Sequence, residues 1–114
     1  MHHVADATVE ALVSPPEAEA AMADAFGRLA AGDAAMQARV RTEAGGVKLS
    51  TLGAVIPGQD AVGAKVYTTI AGRFSFVILL FSATTGAPLA TFDAAAITRL
   101  RTAACSVLAS RHLA

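Results

Sequence analysis

The sequence predicts an α+β fold: a mostly antiparallel sheet, made of a hairpin plus a meander, packed with an N-terminal helix and a C-terminal connecting helix. Three observations predict it. Ser14-Pro15-Pro16-Glu17 is a helix start followed by an apolar stripe and then a glycine. Alternating or continuous apolar segments between residues 38 and 92 are separated by short turns rich in glycine. From Asp93 to Ala114 the apolar residues recur at helical spacing.

Taken in order, Val4–Val13 reads as a short strand followed by a helical turn, since Thr8 to Leu12 has helical spacing. Ser14 then caps a helix. Pro15 suits its first position, where a missing N–H costs nothing, and Glu17 completes a capping box. Ala18, Ala21, Met22, Ala25, Phe26 and Leu29 form one stripe, and Gly32 ends the helix. Ala38–Ala44 and Val47–Val55 flank Gly45-Gly46, the signal for a two-residue hairpin turn. Alternation puts Arg39, Arg41 and Glu43 on one face of the first strand, and Val40 and Thr42 on the other.

Pro57 to Asp60 is a loop, and Gly63–Ile70 is the next strand. Ala71-Gly72 turns the chain into Phe74–Ser82. That strand holds the apolar run Phe76–Phe81, so it is expected to be central and covered on both faces. Thr84-Thr85-Gly86 turns again, and Leu89–Phe92 completes the meander.

In the last segment, Asp93 is read as the helix cap. Ile97, Leu100, Ala104, Val107 and Leu108 fall within one arc of roughly 100°. Thr98, Arg99, Thr102, Ser106 and Ser110 lie opposite, and Arg101 borders the apolar arc. A guanidinium keeps its charge, its pKa being above about 12. At a core edge it needs a carboxylate, a phosphate or a path to water. Two readings follow for Arg101: a snorkelling or salt-bridged residue, or a bidentate clamp for a substrate carboxylate. Periodicity does not choose between them. No termination signal precedes Ala114, and more chain is expected after it.

At 114 residues the chain suits one domain, yet 54% of residues are hydrophobic and only 16% charged. Small soluble domains carry about a quarter charged residues, so the apolar excess points to burial against a second subunit or another domain. Nine basic and nine acidic residues cancel, and no basic patch interleaved with aromatics argues for nucleic acid. Phe76–Phe81 is far short of the roughly 20 apolar residues that span a bilayer. No signal peptide is visible after Met1. The single Cys105 excludes an internal disulfide and fits the cytoplasm. No metal cluster or Ser/His/Asp arrangement is readable. His2 and His3 are terminal and His112 stands alone.

Several stretches carry a family resemblance. They are Leu79-Leu80-Phe81, Thr85-Gly86 with Pro88-Leu89-Ala90, Asp93, and Thr98 with Arg101-Thr102-Ala103-Ala104, together with Val62-Gly63-Ala64-Lys65-Val66 upstream. In these residues the chain resembles the N-terminal part of the ornithine cyclodeaminase/mu-crystallin family, most densely from Gly63 onward. The resemblance implies a two-domain, NAD(P)-dependent enzyme of amino acids or cyclic imine acids. Residues 1–114 would be a single substrate-binding and dimerisation domain, with 93–114 the helix leading into a Rossmann domain. No three glycines of this chain have Gly-x-Gly-x-x-Gly spacing, so no cofactor is expected to be bound by this chain alone.

The resemblance further implies that Arg41, Lys65 and Arg101 hold the substrate carboxylate, with Lys65 also polarising the reacting imine or carbonyl. Arg39 shares the alternation of Arg41 and is its substitute if the register shifts by two. Without the resemblance, Lys65 reads as a solvent-facing strand lysine. Three cations around one small anion make physical sense, because two guanidiniums and an ammonium each donate charge-assisted hydrogen bonds. Lys48 stands where some members carry an acid, and Tyr67 to Ile70 replaces the family's usual segment after the lysine. These departures lean toward a reductase or dehydrogenase and away from a strict cyclodeaminase. The alternatives are a stand-alone, non-catalytic dimeric module that binds a small acid, or a truncated fragment. In either case the 114-residue chain is expected to turn over no substrate by itself.

Overall fold

A computed structural model of the chain describes residues 1–113 and shows an α+β fold. Strand β1 (His2–Val4) and helix α1 (Asp6–Leu12) precede helix α2 (Pro15–Ala31). Strands β2 (Ala35–Met36), β3 (Val40–Ala44) and β4 (Val47–Ile56) follow, then a 3-10 turn at Pro57–Gln59. Strands β5 (Ala61–Ile70), β6 (Arg73–Ser82) and β7 (Pro88–Phe92) lead into helix α3 (Ala95–Leu113). The sheet order is β1-β7-β6-β5-β4-β2, with β3 also paired to β4. All pairings are antiparallel except β1 with β7.

Local chemistry explains the elements. Ser14 Oγ accepts the Glu17 N–H and the Glu17 carboxylate accepts the Ser14 N–H, closing the capping box of α2. Gly32 ends α2 in the left-handed region at φ 83°. The β3–β4 hairpin turns on Gly45 and Gly46, both at positive φ, so Ala44 pairs directly with Val47. Ala71 and Gly72 make the same kind of turn between β5 and β6.

Four sequence expectations are corrected. First, the N-terminal strand begins at His2 and is built into the sheet parallel to β7, with His3 bonded to Thr91 and Asp93. Second, Asp93 does not cap its own helix. Its Oδ2 accepts the Asp6 N–H at the start of α1, and Asp6 Oδ1 accepts the Ala96 N–H at the start of α3. The two aspartates exchange caps because α1 and α3 start side by side.

Third, the edge strand is interrupted. Met36 pairs with Ala54 and Val40 with Thr51, so residues 37–39 face two residues of β4. This is a bulge, and it resets the alternation between β2 and β3. Fourth, β6 is central, but the described helices cover only one face of its sheet. α3 lies over the face carrying Lys65 and Ile78, and α1 and α2 pack on α3. The other face presents Val47, Leu49, Val55 and Ile70 at 41–50% exposure.

The tightest packing lies among the helices. Val9, Ala18, Ala94, Ala96 and Ala104 are buried there, small residues that let α3 approach α1 and α2 closely. Ile97, Leu100, Val107 and Leu108 are half-buried, as the apolar arc predicts, while Arg101 remains exposed at its border.

Candidate functional site

Strand register assembles the site. Across β3, β4, β5 and β6, Arg41 stands opposite Ser50, Ser50 opposite Tyr67, and Tyr67 opposite Phe76. The next row on the same face runs Leu52, Lys65, Ile78 and Phe92. Directly paired residues share a face of the sheet, so Arg41 and Lys65 project on the side covered by α3. Arg39, two residues before Arg41, falls on that side by alternation, and its guanidinium carbon lies 6.0 Å from the Tyr67 ring centroid.

Between this face and α3 lies a cavity of about 520 Å³. Its polar lining is Arg39, Lys65, Thr98 and Arg101, and the rest is aliphatic or aromatic, including Leu52, Ile78 and Ile97. Gly63 also lines it; a Cβ there would come within 2.8 Å of the Leu79 carbonyl oxygen, so the strands pass too close for a side chain. Lys65 Nζ donates to Thr98 Oγ1 at 3.4 Å and sits 4.5 Å from the Phe76 ring centroid. A lone-pair donor and an aromatic face thus orient the ammonium without neutralising it.

Charge pairing separates this cluster from Arg28, Arg99 and Arg111, although Arg73 and Lys48, away from the cavity, also lack a carboxylate partner among the described residues. Arg28 pairs with Asp24, Arg99 with Glu10 and Arg111 with Glu19. Among the described residues, Arg39, Arg41, Lys65 and Arg101 have no carboxylate partner. Uncompensated cations grouped around an apolar cavity favour an anion there, since the low local dielectric strengthens each attraction.

Tyr67 is the buried polar centre beside the cations, at 7% exposure, with Ser50 beneath it at 1%. Hydrogen bonding from Ser50 holds its phenol below the usual tyrosine value, against burial, with smaller help from Arg41 and from the charges of Arg39 and Arg41. Phe76 and Phe74 pack against the ring in tilted arrangements at centroid distances of 4.8 and 6.2 Å.

Of the residues singled out from sequence, Lys65 and Arg101 border one cavity, and Arg39 joins them there. Arg41 lies on the same face outside that lining, separated from Tyr67 by Ser50 in the cross-strand row. Sequence reading missed Thr98 as a partner of Lys65, having placed it on the polar side of the helix. It also missed the pairing of Ser50 with Tyr67. A buried serine opposite a strand tyrosine leaves no periodic signal. Only knowledge of the β4–β5 register would have found it.

Residues 1–114 match the model of the Ornithine cyclodeaminase/mu-crystallin family. No match is found among curated proteins. Among solved structures, the chain is similar to a probable ornithine cyclodeaminase from Bordetella pertussis Tohama I, with 64% identity and a TM-score of 0.92 over 96% of this chain and 35% of that one. It is also similar to an archaeal alanine dehydrogenase dimer with bound NAD, at 30% identity and TM-score 0.80 over 92% of this chain and 34% of that one. A third likeness is to the Thermococcus litoralis Δ1-pyrroline-2-carboxylate reductase in complex with NADH and L-proline, at 27% identity and TM-score 0.80 over 93% of this chain and 36% of that one. The chain therefore spans about a third of the length of these solved relatives.

Proposed function

This chain belongs to the ornithine cyclodeaminase/mu-crystallin family, and we propose that it forms the substrate-binding and dimerisation domain of an NAD(P)-dependent enzyme acting on an amino acid or a cyclic imine acid. The observation that carries this reading is the cavity bordered by Arg39, Lys65 and Arg101, cations without carboxylate partners among the described residues. Arg101, Lys65 and a hairpin arginine hold the substrate carboxylate. Arg39 supports that third role by position, and Arg41 by alternation and by the family's pattern. With the carboxylate fixed, Lys65 polarises the reacting imine or carbonyl, held toward it by Thr98.

A dinucleotide needs a glycine turn between a strand and a helix N-terminus, where backbone N–H groups meet the pyrophosphate. The described residues offer no such unit: β7 leads into α3 through Asp93 and Ala94, whose neighbourhood is occupied by the aspartate caps. These residues do not fit the cofactor, and we assign NAD(P) to the part of the longer relatives that this chain does not span, with α3 as the connection. Dimerisation is assigned to the uncovered sheet face. No described helix is long and apolar enough to cross a membrane, and the single cysteine supports a cytoplasmic setting.

Calorimetry of the purified chain tests the carboxylate pocket. L-proline is expected to bind, pyrrolidine (the same ring without the carboxylate) is not, and Lys65→Ala or Arg101→Ala abolishes the difference. Equal heats for proline and pyrrolidine would sink the reading. The same cavity also fits a non-catalytic module that binds a small acid. Proline binding with no NAD(P)H oxidation, by this chain joined to the remainder of a full-length relative, would favour that second reading.

A further inference from the structure

We infer that Phe76 is a positioning residue for the carboxylate pocket: its ring, braced by Tyr67, holds the Lys65 ammonium where a ligand carboxylate meets it. The inference rests on the pocket proposed above and concerns what fixes its lysine before a ligand arrives. Lys65 pairs with Ile78 and Tyr67 with Phe76, so Phe76 is the diagonal neighbour of Lys65 on the same face of the sheet. Long and aromatic side chains reach across that diagonal. Lys65 Nζ lies 4.5 Å from the Phe76 ring centroid, within the range where the negative face of a ring attracts a cation.

The other restraint on Lys65 is weak. Its bond to Thr98 Oγ1 spans 3.4 Å, long for a hydrogen bond. Lys65 and Thr98 also border a second cavity, with Asp6, Asp93 and Phe76 in its wall. The ammonium thus stands between a cavity whose arginines repel it and one whose acids attract it. A ring face does neither of the things those neighbours do: it does not repel the ammonium, and it does not neutralise it as a carboxylate would. The charge stays free for a ligand, and the long lysine stem has less rotamer freedom left to lose on binding. The ring is itself anchored, because Tyr67 packs against it at 4.8 Å, is buried, and has its phenol hydrogen-bonded by Ser50. Arg39 lies over that same Tyr67 ring, so one pair of touching rings meets two of the cations that border the cavity.

Calorimetry of the 114-residue chain with L-proline tests this, because Phe76 is exposed and its replacement leaves the buried residues in place. Phe76→Leu is expected to weaken proline binding about two- to fivefold, the range for an exposed contact between a cation and a ring. Trifluorophenylalanine at position 76 keeps the shape of the ring but drains its negative face, and should lose most of the same factor. Phe76→Tyr keeps that face and should bind proline as the unmodified chain does. In a Lys65→Met background the fluorinated ring should make no further difference, since the ring acts through the ammonium. Equal affinity of the unmodified and trifluorinated chains overturns this inference and leaves the carboxylate pocket standing, as does a fluorination loss that persists without Lys65. Failure of the unmodified chain to prefer proline over pyrrolidine overturns both. Should Phe76→Leu fail to fold, the fluorinated ring still decides.

Discussion

The two faces of the sheet are built from alternate residues of the same strands, yet they differ in almost every physical respect. On one face Arg39 and Lys65 border a cavity beneath α3, with Arg41, Ser50 and Tyr67 in the neighbouring row. On the other, Val47, Leu49, Val55 and Ile70 stand half-exposed with no described helix over them. The first face holds uncompensated charge that calls for an anion. The second holds uncovered apolar surface that calls for another apolar surface. One strand thus serves two ends because its side chains alternate, and a change on one face need not disturb the other.

The largest effect expected from this division is on ligand binding. Removing a charged donor to a carboxylate costs about tenfold to a hundredfold in affinity, so Lys65→Ala or Arg101→Ala should weaken proline binding by that factor in calorimetry. The oligomeric state should not move. Conversely, Leu49→Asp places a charge in the uncovered face, and sedimentation should show the proposed dimer dissociating on the order of a hundredfold more readily. Proline affinity retained per folded chain would keep the two faces independent; loss of binding along with the dimer would merge them.

Smaller changes test the scaffold that separates the faces. Gly63→Ala drives a methyl toward the Leu79 carbonyl oxygen, and denaturant unfolding should report a loss of about 1–3 kcal/mol. Ser14→Ala removes the cap of α2, away from both faces, and should cost about 1 kcal/mol with binding unchanged.

A final, smaller test uses pH. The Asp60 carboxyl is held below its usual value chiefly by the Thr84 hydroxyl and N–H, with Ser82. A depressed carboxyl contributes stability that is fully present above its unfolded value of about 3.9 and is lost as pH falls through the folded value. Asp60→Asn should therefore lower the thermal midpoint by a few degrees near neutral pH and flatten its fall in acid. An unchanged acid limb would show that this tie between the β4–β5 loop and the β6–β7 turn does not matter.

Much of the architecture was legible because it is local. The capping box at Ser14, the left-handed Gly32 and the two-residue turn at Gly45-Gly46 each depend on residues within a few positions of one another. What escaped depends on distant partners. Nothing near Asp93 says that it caps α1 while Asp6 caps α3, since the two lie 87 residues apart. Nor does the run from Ala35 to Ala44 announce the bulge that brings Met36 to the same face as Arg39 and Arg41, because a bulge is defined by its opposite strand.

The chain by itself determined which segments are helices and strands, which face of each strand is polar, and that Arg101 borders a buried arc. Those follow from periods of two and 3.6 residues, which the backbone imposes wherever the chain goes. The three-dimensional structure alone decided that Arg39, Lys65 and Arg101 share one cavity while Arg41 lies outside its lining, and which cations lack a carboxylate. Charge is carried by residues, but its compensation is a property of distances across the fold, and those exist only once strands and helices have docked.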